Sequence, residues 1–393
     1  MAHPPSAPTI ECLTEWPAFQ SLHGEWNELA RDCARRSVFL THEWFDAAWQ
    51  WAGLDAKLHV LCARRDGMLI GALPLVLRRR QVRSIERRVL EFLTVPDTQM
   101  CDVLARPEDE GAACETFARA LGCSKTPWDV LSLSYLPSDS LAVRYFADAL
   151  RRTQHELAIE PAGTNPFVDL RGSWDAYYGT RSRSLKKAIN LAANRLKKAG
   201  EVAVTWHRPG ELSAATTGEI LATLTDISAR SWKQDTGNSL DHPGPQAFAQ
   251  GLSTLAADQG WLSVWTLSVD GKPLAMEYQL VSERTIYALR SDFDAAYGEI
   301  SPGSHLFRQL LERLFEGGVD RYFMGPGENA YKIRWAEGCE ELQRLTAYAR
   351  TARGRFASFV DLSLAPFIRS IRSRMRRADA PAVPAEQAEA TEK

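Results

Sequence analysis

The chain has 393 residues, 45% hydrophobic and 24% charged, with 47 Lys and Arg against 49 Asp and Glu for a net charge of −2. That length exceeds one ordinary core and fits two domains, and the apolar content excludes wholesale disorder. The near-neutral balance supplies no overall field toward nucleic acid or anionic lipid, so any such attraction must be local. Seven scattered cysteines give neither a disulfide framework nor paired metal ligands, and no metal site is expected. The first ten residues lack the basic-then-apolar order of a signal peptide, and the longest apolar stretch, 69–77, is about half of the roughly 20 residues a spanning helix needs. A cytoplasmic protein with reduced thiols is the expectation.

In chain order, Phe45, Ala48 and Trp49 recur at helical spacing within 39–51 and predict a helix with an aromatic face. Apolar runs at 58–64 and 68–77, split by Asp66-Gly67, predict a hairpin. A basic insert at 78–88 reads as an exposed hairpin tip. Strands near 89–93 and 101–104, a helix over 111–121 and a strand at 128–133 follow. The Pro- and Gly-containing stretch 160–166 reads as a loop. A helix over 174–199 carries Arg181, Arg183, Lys186, Lys187, Arg195, Lys197 and Lys198 with no acid after position 176, and ends at Gly200.

Helices at 217–232 and 246–259 lead into a three-strand meander at 262–269, 274–281 and 285–290, turning at Asp270-Gly271. After a loop at 294–302 come a helix over 303–316, a strand at 321–324, a short helix at 331–335 and a strand near 342–349. The pattern is α/β (α+β), with mixed, mostly antiparallel sheets flanked by helices. It divides into domains 1–160 and 161–351, a basic amphipathic helix 352–377, and an Ala/Pro/Glu tail 378–393 that reads as disordered.

Two places could carry chemistry. Ser301, Pro302, Gly303, Ser304 and His305 stand at a predicted helix start after a strand, where free amides and the helix dipole favour phosphate, although Ser-Pro-Gly taken alone is more often a plain turn and cap. Gly325-Pro326-Gly327 lets the chain leave the sheet, and Tyr331 and Trp335 then share a helix face with Lys332 beside it. Buried packing explains that spacing as well as a binding site does.

Taken in order, these features resemble the GNAT acyltransferase superfamily, in particular its cellulose-biosynthesis CelD-like branch related to the FemAB peptidyltransferases. The resemblance rests on Arg181-Ser182-Arg183-Ser184-Leu185-Lys186-Lys187, Ser231-Trp232-Lys233, Asp270-Gly271-Lys272-Pro273-Leu274-Ala275, Ser301-Pro302-Gly303 and Tyr331-Lys332-x-x-Trp335. It covers 165–350 well. The first 160 residues resemble a degenerate GNAT-like half less specifically, through Glu43-Trp44 and Gly71-Ala72-Leu73-Pro74-Leu75.

The resemblance implies two GNAT-like domains, the second catalytic, transferring an acyl group directly from acyl-CoA, such as acetyl-CoA, as co-substrate to an amine or hydroxyl, with no tightly bound cofactor. Residues 301–305 would hold the CoA pyrophosphate. The usual Gln/Arg-x-x-Gly-x-Gly/Ala loop is missing, which keeps an aminoacyl-tRNA donor open. Direct transfer needs a base for the attacking amine and a positive group facing the thioester oxygen. Glu277, Asp292 and His305 are the candidate bases and Lys332 the candidate cation. Glu277 reads equally as an outward strand residue, and Asp292 as a turn cap. Arg183, Lys186, Lys187, Trp232, Lys233, Arg290, Tyr331, Lys332 and Trp335 are the expected substrate contacts.

The expected acceptor is a small molecule or lipid-linked group: an amino sugar, an exopolysaccharide or envelope precursor, or an aminolipid. Phe367, Ile368, Ile371 and Met375 interleave with arginines over 366–377, as in helices that lie on an anionic membrane surface. That pattern would place the protein peripherally at the inner face of a bacterial membrane, while docking back on the protein explains it equally. Nucleic acid enters only in the tRNA alternative, and a non-catalytic nucleotide-sensing regulator of envelope assembly is the third reading. His42-Glu43-Trp44-Phe45-Asp46 matches His-x-x-x-Asp but lacks the flanking His and Gly of condensation-type acyltransferases. Serine-hydrolase, zinc-protease and phosphate-loop signatures are missing.

Overall fold

Asp66-Gly67 and Asp270-Gly271 all have positive φ (51°, 84°, 48° and 77°), the geometry of the tight turn that matches strand twist, and each opens a meander. The next hairpin of each meander turns on Arg83-Ser84 and on Glu283-Arg284, again with positive φ. The two halves of the chain are therefore built alike, although no residue-level repeat links them.

The computed structural model describes residues 6–364. Its first half runs β1 Thr9–Leu13, α1 Trp16–Gln20, α2 His23–Asp32, α3 His42–Ala52, β2 Lys57–Arg65, β3 Met68–Val82, β4 Ile85–Phe92, β5 Leu104–Ala105, α4 Glu110–Gly122, β6 Val130–Pro137, α5 Ala147–Arg152 and β7 Leu157–Asp169. The second runs α6 Trp174–Thr180, α7 Arg183–Ala199, β8 Val202–His207, α8 Ala214–Ala229, α9 Pro243–Asp258, β9 Leu262–Val269, β10 Lys272–Ser282, β11 Thr285–Phe293, α10 Pro302–Phe315, β12 Arg321–Phe323, α11 Ala330–Trp335, β13 Gly338–Tyr348 and α12 Ala352–Ser358.

All strands join one sheet in the order β1-β2-β3-β4-β6-β13-β7-β12-β11-β10-β9-β8, with β5 attached to β3. β4 and β6 pair in parallel, as do β11 and β12, and the other pairs are antiparallel. The two central strands are exchanged: β7 lies against β12 of the second half, and β13 against β6 of the first.

This exchange corrects the loop expected at 160–166, which lies within β7 and pairs with β13 along Cys339–Arg344. Prolines resist central strands because they lack a ladder donor. Here β12 pairs only with Phe167, Val168 and Asp169, so Pro161 has an open far side, and the register shift between Leu342 and Gln343 takes up the irregularity. The 160/161 boundary falls inside this strand. Three smaller differences follow. The helix expected over 174–199 is broken at Arg181, where Ser182 caps α7 by accepting from the Leu185 N–H; β8 is an added strand, although Val202, Val204 and Trp206 alternate along it; and the strand near 101–104 shrinks to Leu104–Ala105.

The insert at 78–88 is a hairpin whose arginines are largely paired. Arg78 and Arg87 are buried, meeting Glu91 and Asp361 respectively. The aromatic face of α3 packs on α9 across the two halves, with Trp44 edge-on to Phe248 at 5.4 Å. The amphipathic helix expected over 352–377 is described only as α12 and the π-helical segment Phe359–Leu364; positions 366–377 and the tail 378–393 lie outside the described residues. No helix among the described residues is long and apolar enough to cross a membrane.

Candidate functional site

β11 and β12 stay paired only from Thr285 to Tyr287. Beyond that point β11 bulges at Leu289, which the β10 register skips between Gln279–Ala288 and Tyr278–Arg290. The chain after β12 turns away through Gly325 and Gly327, both with positive φ (84° and 92°), a conformation that favours glycine. The strands splay, and the gap is a cavity of about 470 Å³ that reaches from Glu277 to the first turn of α10.

Glu277 sits in the middle of β10 and is buried. The Tyr322 hydroxyl donates to its Oε1 at 2.5 Å, and the Ser291 hydroxyl donates to Oε2. Burial raises this carboxyl to about 7 against those two hydrogen bonds and the nearby Lys233. Asp292, the second expected base, is spoken for: Lys233 Nζ lies 2.5 Å from Oδ1, and Ser228 Oγ donates to Oδ2 at 2.9 Å. Lys332 Nζ donates to the carbonyls of Gly325 (2.8 Å) and Pro326 (3.1 Å), and burial, with Lys233 nearby, brings its ammonium down to about 8. The cavity therefore holds a carboxyl and an amine that both titrate near neutrality, the pairing that acid–base work requires.

Of the other expected residues, Trp232, Lys233, Arg290, Tyr331, Gly303 and Ser304 also line the cavity. Trp232 stands at the rim, 62% exposed. Ser301 and Pro302 do not line it, and neither does His305, whose Nδ1 is buried without a partner and whose charged neighbours are Arg308 and Lys197. His305, one residue after the cavity-lining Ser304, turns to the side of α10 where Lys197 of α7 lies. Trp335 packs on Phe307 at 5.3 Å, and its carbonyl accepts from the Tyr177 hydroxyl (2.6 Å) and Arg181 (2.9 Å), so it ties α11 to the break before α7. Arg183 and Lys187 are exposed on α7, and Lys186 donates to the Gly179 carbonyl; none of the three reaches the cavity.

Several residues escaped sequence reasoning. Tyr322 and Ser291 hold the Glu277 carboxyl. Asp97 and Gln99 come from the first half: Asp97 is 2.8 Å from the Arg290 guanidinium, and Gln99 Nε2 donates to the Ala288 carbonyl at 2.8 Å. Asp97-Thr98-Gln99 is a polar run in an otherwise apolar stretch, the signal in the sequence that marks it. Among the described residues no group of three or more His, Cys, Asp or Glu could hold a metal ion.

A family model described as an acetyltransferase (GNAT) domain matches residues 183–333. The chain is similar in structure to FemX, at 9% identity over 86% of this chain and 98% of that one, TM-score 0.54. It is similar also to the C-terminal domain of a putative lysylphosphatidylglycerol synthetase from Agrobacterium fabrum (13% identity, 88% and 96%, TM-score 0.53). A tandem GNAT protein from the clavulanic acid biosynthesis pathway aligns at 14% identity over 88% and 99%, TM-score 0.50. No curated protein matches the chain in sequence.

Proposed function

Because the chain has a double GNAT-like fold whose second half matches the GNAT acetyltransferase domain, we propose that this half is an acyltransferase that moves an acyl group from acyl-CoA directly onto an amine. The observation that carries the proposal is the buried Glu277 carboxyl, raised to about 7 inside the cavity between the splayed β11 and β12. The pyrophosphate rests on the first-turn amides of α10 at Gly303 and Ser304, where an added Gly303 Cβ would meet Phe293 at 3.3 Å and narrow the entry. The thioester then lies in the gap, beside the backbone of Leu289, which the bulge leaves unpaired.

The acceptor nitrogen attacks the thioester carbonyl carbon while Glu277 takes its proton, held in position by Tyr322 and Ser291. The carbon–sulfur bond breaks and the thiolate leaves, and the Lys332 ammonium offsets the negative charge that develops on the oxygen. Trp232 and Lys233 at the rim meet the acceptor, which we read as an amino sugar, an envelope or exopolysaccharide precursor, or an aminolipid. An aminoacyl-tRNA donor is the second reading, favoured by the exposed Arg183, Lys187, Lys197 and Lys198 on α7.

Calorimetry with CoA, acetyl-CoA and a long-chain acyl-CoA tests the donor. Ser304→Asp puts a carboxylate against the pyrophosphate, and like charges so placed cost several kcal/mol, so affinity should fall about 100-fold or more. Unchanged affinity in this variant would move the pyrophosphate away from α10. Binding of none of the three would transfer the proposal to the tRNA donor.

A further inference from the structure

Beside the β6–β13 pair, a second cavity of about 400 Å³ opens between the end of α4, the segment before β6 and the chain leaving β13. Arg350 and Arg355 line it together with Ser124, Thr126 and Thr351, and no acidic residue does. Neither arginine is in an ion pair among the described residues. At its floor His155 is only 4% exposed and stacked on Trp128. Its Nδ1 is 2.9 Å from the Tyr348 carbonyl, so Nδ1 carries the hydrogen and donates it. The neutral ring then keeps a lone pair at Nε2, and this buried atom of a cavity-lining residue has no partner. Such an atom calls for a donor from outside the protein.

Gly122 leaves room for one. A Cβ there would stand 3.2 Å from Arg350 Nη2 and 3.6 Å from His155 Nε2, so the absent side chain is the space between cation and acceptor. The carbonyls at the end of α4, which would repel an anion, are covered: Gly122 O accepts from Arg350 and Leu121 O from the Trp128 indole. Glu156, the nearest acid along the chain, lines the adjoining groove and holds the Ser358 hydroxyl.

A ligand for this place must bring anionic oxygens for two guanidinium groups and one O–H for Nε2. We propose that this cavity binds a phosphomonoester, its P–O–H group donating to His155 Nε2 while Arg350 and Arg355 hold the other oxygens. A monoester retains an exchangeable proton close to neutrality, whereas sulfate and phosphodiesters do not. A soluble phosphorylated metabolite and a phosphatidate headgroup share this chemistry. Phe356 and Phe359, 55% and 57% exposed next to Arg355, would enter the lipid in the second case.

Titration of the full chain with inorganic phosphate and with sulfate at neutral pH tests the site independently of the transfer chemistry. Phosphate should bind about tenfold tighter than sulfate, one charge-assisted hydrogen bond expressed as affinity. Arg355→Gln, on an exposed side chain, should weaken phosphate by about tenfold, and Gly122→Val should abolish it, with melting temperature and acyl-CoA binding unchanged for Arg355→Gln. Equal affinity for the two anions, or phosphate binding that survives both substitutions, would overturn the proposal, as would no binding at millimolar phosphate. Flotation with phosphatidylcholine vesicles with and without phosphatidate, and titration with glycerol 3-phosphate, then separate the sources. Phosphatidate-dependent flotation that phosphate competes away assigns the lipid headgroup, and glycerol 3-phosphate binding without flotation assigns the metabolite.

Discussion

Glu277→Gln should lower kcat by about two to three orders of magnitude, the range that removal of a positioned general base costs, while acyl-CoA affinity at the distant α10 turn stays near that of the parent. The same substitution should make the protein more stable at alkaline pH. A buried carboxyl whose folded pKa is about 7, against an ordinary 4.5, binds its proton more tightly in the folded state. Its contribution is fully present below pH 4.5 and is lost as pH rises through 7. The shift of roughly two and a half units corresponds to stability on the order of 3 kcal/mol that the parent has given up by pH 8 and the neutral amide has not. Thermal melts of both proteins at pH 5 and pH 8 check this: the gap should be small at pH 5 and nearly complete at pH 8. Activity of the parent should rise with pH through 7 as the carboxylate forms. A flat profile together with full turnover in Glu277→Gln would remove Glu277 from the mechanism and leave Asp292, whose Lys233 partner would then have to be displaced by substrate.

Arg290→Met should be the most destabilising change in the cavity wall. Arg290 is 3% exposed, donates to the Asn238 carbonyl at 2.5 Å, lies 5.9 Å over the Trp51 ring and pairs with buried Asp97. Removing it strands that carboxyl, and breaking one side of a buried pair costs about 3–5 kcal/mol. Asp97→Asn combined with Arg290→Met should recover part of the loss, because no uncompensated charge remains. Urea unfolding of the two single variants and the double variant reads the coupling directly. Additive losses would mean the two residues act separately. Because Asp97 belongs to the first half and Arg290 to the second, a coupling of this size would also show that the first half is a structural wall of the cavity rather than an appendage.

What could be read from the residues was local. The Asp-Gly turns announced both meanders, Phe45 and Trp49 the face of α3, and Ser-Pro-Gly the start of α10, because turn chemistry and helical spacing act over a few residues. Glu277 could be nominated as an anomalous acid in an apolar strand, and Lys332 as the cation beside two aromatics. The different surroundings of Glu277, Asp292 and His305 were not in the sequence. They depend on which carboxyl meets Lys233, which meets only hydroxyls, and which way one turn of α10 faces. The exchange of β7 and β13 was equally hidden, since Pro161 and Gly163 look like a loop until an open strand flank accommodates them. Asp97, Tyr322 and His155 meet partners distant in the chain. Local patterning determined most of the elements of this protein; the pairing of its central strands, and the burial that tunes its titratable groups, were decided by tertiary structure, because desolvation and charge contact depend on neighbours that no sequence spacing records.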